Sequence, residues 1–176
     1  MIKAKSFIKK NTLLLVFILI CAVFTVTSDS FLTVSNITDV VRTNTISGLL
    51  AVGLTYVILS GGIDLSVEAT ACLAGLAAGY LSPSPVLAVL AGILIGVAVG
   101  LFNGFILEKS GVQPFIFTLA MSSFLRGLVL AITKGRNYYT IDPSFTAIVR
   151  SNILGIPSLI VMFLVIVVIT YFALNR

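Results

Sequence analysis

Tyr56 to Glu68 reads YVILSGGIDLSVE, and the reading of this stretch decides the fold. An apolar run from Gly48 to Leu59 leads into it. Gly61-Gly62 interrupts the run, Asp64 and Glu68 follow, and a second apolar run rich in small residues begins. Carboxylates among membrane-embedded residues are costly, so they face water, a protein interior or an opposite charge. Glycine lets the chain bend or unwind without a side-chain clash. The stretch therefore reads as a helix end, a glycine break and a new helix. Asp64 or Ser66 can cap the free N–H groups of that new helix. Asp64 and Glu68 also lie at the positive end of its dipole, which favours both charges.

Composition places this break in lipid. Of the 176 residues, 59% are hydrophobic and 10% charged, against about 25% charged in a soluble domain. There is no histidine, and Cys21 and Cys72 both lie in apolar runs. That excludes a Cys/His zinc cluster and gives no disulfide framework, so both thiols read as small buried hydrophobes. The net charge of +5 is concentrated at Lys3, Lys5, Lys9 and Lys10, ahead of the first apolar run, with the rest at segment ends. That is a positive-inside pattern rather than a groove tracking phosphates, and no nucleic-acid partner is expected.

Outward from the break, residues 1–11 read as a basic cytoplasmic head and 12–176 as a partial transmembrane domain. Thr12 to Val26 is a first span, retained rather than cleaved, because the following TSDSF lacks a clear small-x-small site. Thr27 to Arg42 is a polar connection, within which FLTVSNITDVVRT suits a short amphipathic stretch on the membrane surface. Asn44 to Leu59 is the second span. The third runs from the break to about Leu81, with Ala71, Gly75 and Gly79 on one face, and stops at Ser82-Pro83-Ser84-Pro85. Val86 to Leu107 is the fourth. Its Gly92, Gly96, Gly100 and Gly104 form overlapping GxxxG units, read as a helix-packing seam. Pro114 opens the fifth, Phe115 to Ile132, where Arg126 either snorkels to the interface or pairs with a carboxylate. Thr133 to Ser151 is a polar loop, and Ile153 to Leu174 a sixth span.

The expected fold is all-α, a polytopic transmembrane helical bundle of about six spans with a glycine break between spans two and three. The basic head puts the N-terminus in the cytoplasm, with Gly61 to Glu68 and Glu108 to Gln113 on the same side. Alternatively, Gly61 to Glu68 is a re-entrant or midplane break, as in the discontinuous helices of transporter sites.

Chemistry is sparse. The chain has no GxxxxGK[ST], GxSxG or HExxH motif. Asp64 and Glu68, spaced i,i+4, lack a third fixed ligand, so no metal, cofactor or enzymatic activity is expected.

NTISGLLAVGLTYVILSGGIDLSVEA, from Asn44 to Ala69, resembles the membrane permease subunit of bacterial sugar ABC importers of the ribose/xylose/galactoside type. The likeness continues through GLFNGFILEKSGVQPFIFTLAMSSFLRGLVLAITKG, from Gly100 to Gly135. The family pattern falls here on Ala51-Val52-Gly53, Thr55, Ser60 to Val67, Asn103-Gly104, Pro114-Phe115-Ile116, Thr118-Leu119 and Arg126-Gly127. It implies a permease of the bacterial cytoplasmic (inner) membrane moving a monosaccharide without chemistry on it. The implied partners are a cytoplasmic ATP-binding subunit, a periplasmic sugar-binding protein, a second permease chain and membrane lipid. Family members run on into further spans, so the chain looks like their N-terminal half. The competing expectation is a truncated or non-transporting membrane protein, serving as a scaffold or as one half of a split permease. Glu68 departs from the family, which usually has glycine there. Substrate-path or helix-break candidates are Gly61, Gly62, Asp64, Ser66, Glu68, Asn103 and Arg126. Asp64 is expected to cap rather than to touch sugar, and Asn103 to satisfy a backbone group or line the path.

Overall fold

The computed structural model describes residues 11–137 and 141–175. The lysines of the basic head lie outside the described residues. The helices are α1 (Thr12–Thr27), α2 (Val34–Leu59), α3 (Val67–Tyr80), α4 (Pro85–Ser110), α5 (Pro114–Thr133), α6 (Pro143–Arg150) and α7 (Ser158–Leu174). A small antiparallel hairpin, β1 (Asn152–Ile153) with β2 (Ile156–Pro157), stands between α6 and α7. The chain divides into two compact units, one ending at Asn44 and the other beginning at Thr45.

In the first unit, α1 is apolar on every side and none of its residues is buried. Its two late threonines remain compatible with that environment because their hydroxyls bond the carbonyls of Cys21 and Val23. Phe24 stacks on Phe31 with ring centroids 5.6 Å apart, closing the turn after α1. Thr33 then opens α2, its Oγ1 accepting the Asn36 N–H at 3.3 Å. The polar connection expected over Thr27 to Arg42, with its surface-lying stretch, is corrected here: from Val34 onward these residues are continuous with the second helix. No Gly or Pro interrupts them. Thr38, Thr43 and Asn44 turn their polar groups back onto the carbonyls four residues earlier, which satisfies them within the helix.

In the second unit, α3 lies between α4 and α5. It runs parallel to α5: Leu65 meets Thr118 near their starts, and Gly79 and Thr133 line one hollow at their ends. It runs antiparallel to α4, whose Asn103, near the C-terminal end, reaches Ser66. Ala69, Leu76 and Gly79 of α3 are buried, with Ala88 of α4. Thr118, Ser122 and Leu125 follow at i, i+4 and i+7 along one buried face of α5. Large aliphatic side chains point outward, while Ser66, Ser82, Asn103, Thr118 and Ser122 lie inside. Polar groups inward and leucines outward is the arrangement that a lipid solvent permits.

Three helices, α2, α4 and α5, are long and apolar enough to cross a membrane, while α1, α3 and α7 are apolar but shorter. At about 1.5 Å per residue, α3 reaches roughly 21 Å, short of a hydrocarbon core of about 30 Å. The sixth apolar run also begins later than expected. Ile153 belongs to the hairpin, and α7 starts only at Ser158, because Gly155 (φ +83°) and Pro157 hold the chain out of helix. The loop expected over Thr133 to Ser151 contains α6, capped by Asp142. Gly48, not singled out in the sequence, allows the closest approach: a Cβ there would stand 2.8 Å from the Phe163 ring of α7.

Candidate functional site

The YVILSGGIDLSVE stretch folds into a polar knot between α3, α4 and α5. Its first part ends α2. The Gly61 N–H bonds the Ile58 carbonyl at 2.9 Å, and the Gly62 N–H bonds the Val57 carbonyl at 3.0 Å. Gly61 takes φ +83°, the left-handed geometry that this helix end requires. Gly62 serves by its size instead. A Cβ on it would come within 3.3 Å of Val57 Cγ1.

From there Ile63 to Leu65 run beside the first turns of α5. Thr118 Oγ1 accepts the Leu65 N–H at 3.1 Å and lies 3.1 Å from the Ile63 carbonyl. It also lies 2.8 Å from the Pro114 carbonyl of its own helix. One buried hydroxyl thus supplies the ladder partner that an extended segment would otherwise lack. Thr118 was not among the sequence candidates. Its signal was a hydroxyl one turn past Pro114, in phase with Ser122 and Leu125.

Asp64 then folds over its successor. Its Oδ1 accepts the Ser66 N–H at 2.7 Å and the Ser66 hydroxyl at 2.6 Å. Asp64 takes a free N–H just ahead of α3, whereas Ser66, with near-helical φ −88° and ψ −9°, makes no side-chain cap bond. Its hydroxyl is engaged elsewhere. Because its single proton goes to Asp64, Ser66 Oγ can only accept from its next neighbour. That neighbour is Asn103 Nδ2, at 2.9 Å. The amide orientation follows, and Asn103 Oδ1 is left buried with no hydrogen-bond partner.

Two hollows flank Asp64. One of about 480 Å³ is walled by Gly61, Gly62, Asn103, Gly104 and Thr118. The other, about 300 Å³, is bounded by Leu50, Thr70, Gly96 and Gly100. Asp64 and Gly100 line both. This changes the picture of the glycine series. A Cβ on Gly75, Gly92, Gly96, Gly100 or Gly104 would meet no atom within 4 Å, so no described helix packs against them as a seam. Gly96, Gly100 and Gly104 open space around Asp64 instead. Gly79 is the member of the set that is buried.

Glu68 and Arg126 form a separate feature. Arg126 Nη2 donates to Glu68 Oε2 at 2.8 Å, tying the first turn of α3 to the middle of α5. Arg126 thus pairs with a carboxylate. Both side chains face outward, 56% and 77% exposed, so the pair stands apart from the Asp64 knot.

Apolar helices with polar side chains turned inward mark a helical membrane protein. Residues 36–176 match the family described as branched-chain amino acid transport system / permease component, and the chain belongs to that family. It is 30% identical over 172 residues to the D-allose transport system permease protein of Escherichia coli (strain K12), covering 96% of this chain and 53% of that protein. It is 39% identical over 146 residues to the ribose import permease protein of Bacillus subtilis (strain 168), covering 80% and 45%. With the L-arabinose ABC transporter permease protein of Azospirillum brasilense it shares 32% over 152 residues, covering 85% and 45%. The chain spans about half the length of these curated relatives. No solved structure matches it.

Proposed function

We propose that this chain forms part of the translocation path of an ABC importer for a monosaccharide, ribose-like or a related sugar. In this reading it sits in the bacterial inner membrane with its N-terminus in the cytoplasm and about six spans. The glycine break at Gly61-Gly62 separates the second span from the third. A separate cytoplasmic ATP-binding subunit supplies energy, a periplasmic sugar-binding protein delivers the sugar, and a second permease chain completes the path. The family description names branched-chain amino acids, but the relatives are named for allose, ribose and arabinose, which favours sugar.

The observation that carries the reading is Asp64 between two hollows, among buried polar side chains in a helical layer that is apolar on its outside. Gly61, Gly62, Asp64, Ser66 and Asn103 would border the path. Gly96, Gly100 and Gly104 would keep it open. A hydroxyl-rich solute needs acceptors there and room to pass, and the larger hollow falls in the volume range of small-molecule sites. Glu68 and Arg126 would brace α3 against α5 rather than meet the solute.

The test is uptake of labelled ribose, allose, arabinose and leucine in cells without their own importers. The chain is expressed with an ATP-binding subunit, a binding protein and the remaining length of a relative. Saturable, ATP-dependent entry of one sugar that needs this chain supports the proposal. Entry of leucine alone, or of nothing, rejects it.

A further inference from the structure

The hairpin before α7 carries an apolar tip that no described residue covers. Ile153 pairs with Ile156, and Leu154-Gly155 make the two-residue turn between them. Both turn residues have positive φ, +54° for Leu154 and +83° for Gly155. Hairpin turns of this hand select Asn, Asp or Gly, and a bulky side chain there is an outlier. Leu154 nonetheless occupies the position and is 98% exposed, with Ile153 and Ile156 about half exposed beside it. A leucine in strained backbone, projecting fully from a turn, gains nothing from the fold that holds it. No described residue buries it, so its cover comes from elsewhere.

We propose that this tip inserts into lipid at the membrane surface where α7 begins. The neck of the hairpin is closed by the Ser158 N–H on the Ser151 carbonyl at 2.9 Å, and Ser158 is the first residue of α7. The hairpin is therefore continuous with an apolar helix of 17 residues. That helix spans roughly 26 Å, less than a hydrocarbon core of about 30 Å, so apolar surface at its start lies in the boundary region. α6, just upstream, has strongly separated polar and apolar faces and ends at Arg150, exposed and basic. An amphipathic helix with a cation beside it suits the headgroup layer. The tip itself carries neither charge nor aromatic ring. Protein-binding hot spots are instead enriched in Trp, Tyr and Arg, which favours lipid over a docking protein. The inference needs only that the chain is in a bilayer, and holds whatever solute the path carries.

The chain contains no tryptophan, so Leu154→Trp introduces a single emitter. The variant is reconstituted in phosphatidylcholine–phosphatidylglycerol vesicles. Blue-shifted emission, quenching by lipids brominated near the top of the acyl chain and protection from aqueous iodide are expected. Ile156→Trp, on ordinary strand backbone, is measured alongside and should give the same pattern, which covers the case in which the first variant distorts the turn. Free iodide quenching with no effect of brominated lipid at both positions overturns the proposal. Protection from both quenchers also overturns it, because a protein then covers the tip.

Discussion

Asn103 Nδ2 donates to Ser66 Oγ at 2.9 Å across 37 residues of sequence, and the Ser66 hydroxyl in turn donates to Asp64 Oδ1. The carboxylate thus fixes the direction of the whole relay. Ser66→Ala leaves a buried amide donor unpaired beside an acceptor that already lacks a partner. Such a loss costs about 1–3 kcal/mol. The expected result is a lower denaturation midpoint in detergent. Replacing both ends, Ser66→Ala with Asn103→Leu, should recover part of that loss, since two apolar groups leave nothing unsatisfied. A double variant no better than the sum of the singles would show that the two residues act independently.

Thr118 makes a sharper case, because one hydroxyl holds an extended segment to a helix. Thr118→Val keeps the shape and removes the oxygen that accepts the Leu65 N–H. A loss of about 1–3 kcal/mol is expected, with Thr118→Ser much closer to the native protein. Hydrogen exchange at Leu65 is the direct readout. It should accelerate in the valine variant and stay slow in the serine variant. Equal protection in both would mean that the Thr118 oxygen does not hold the segment.

The contrast between Asp64 and Gly100 shows what was legible beforehand. The glycine pair, two carboxylates and a following small-residue run all report local chemistry, so the helix end at Leu59 and the turn at Asp64 could be read from sequence. Small-residue spacing in α4 was equally visible, but its meaning was not. GxxxG records absent side chains, and only neighbouring atoms tell whether a helix or a hollow fills the gap. Thr118 and Gly48 were missed for a related reason, since their importance lies in partners tens of residues away. The start of α7 was missed because an apolar run does not itself distinguish strand from helix. Gly155 and Pro157 made that choice.

Glu68 and Arg126 are mostly exposed, and solvent screening keeps such pairs at about 0.2–1 kcal/mol. Glu68→Gly should therefore fold with little change in midpoint. Arg126→Glu should lose more, by placing two like charges together, and Glu68→Arg added to it should restore the native value. The repulsion should weaken at high salt. Failure of the double reversal would show that Arg126 contributes through packing and not through charge.

Asp142 caps α6, its Oδ1 accepting from Ser144 Oγ at 2.6 Å and from the Ser144 N–H at 2.8 Å. These bonds, the hydroxyl first, hold its carboxyl below the usual value of 3.8. A folded-state value below the unfolded one stabilises α6 above the unfolded value. That contribution is lost as pH falls through the lower, folded one. Amide exchange in α6 should accordingly rise only under clearly acidic conditions, and Asp142→Asn should flatten the response. The Asp142 N–H also bonds Ser82 Oγ at 3.0 Å, so Ser82→Ala should loosen the start of α6 with no pH dependence.

Gly61 and Gly100 separate backbone need from open space. Gly61 has φ +83°, so Gly61→Ala should cost about 1–2 kcal/mol although nothing obstructs its Cβ. Gly100 is helical, and its Cβ also meets nothing within 4 Å. Gly100→Ala removes a helix-weakening glycine and should leave stability unchanged or slightly raised, by up to about 1 kcal/mol. Gly100→Leu then places a branched side chain between the two hollows beside Asp64. If solute passes there, uptake in the reconstituted importer should fall sharply while the denaturation midpoint holds. The comparison is informative because a packing seam predicts the opposite order: leucine would lower the midpoint first, by forcing a neighbouring helix away. Uptake equal to native in a stable Gly100→Leu protein would move the path away from this face of α4.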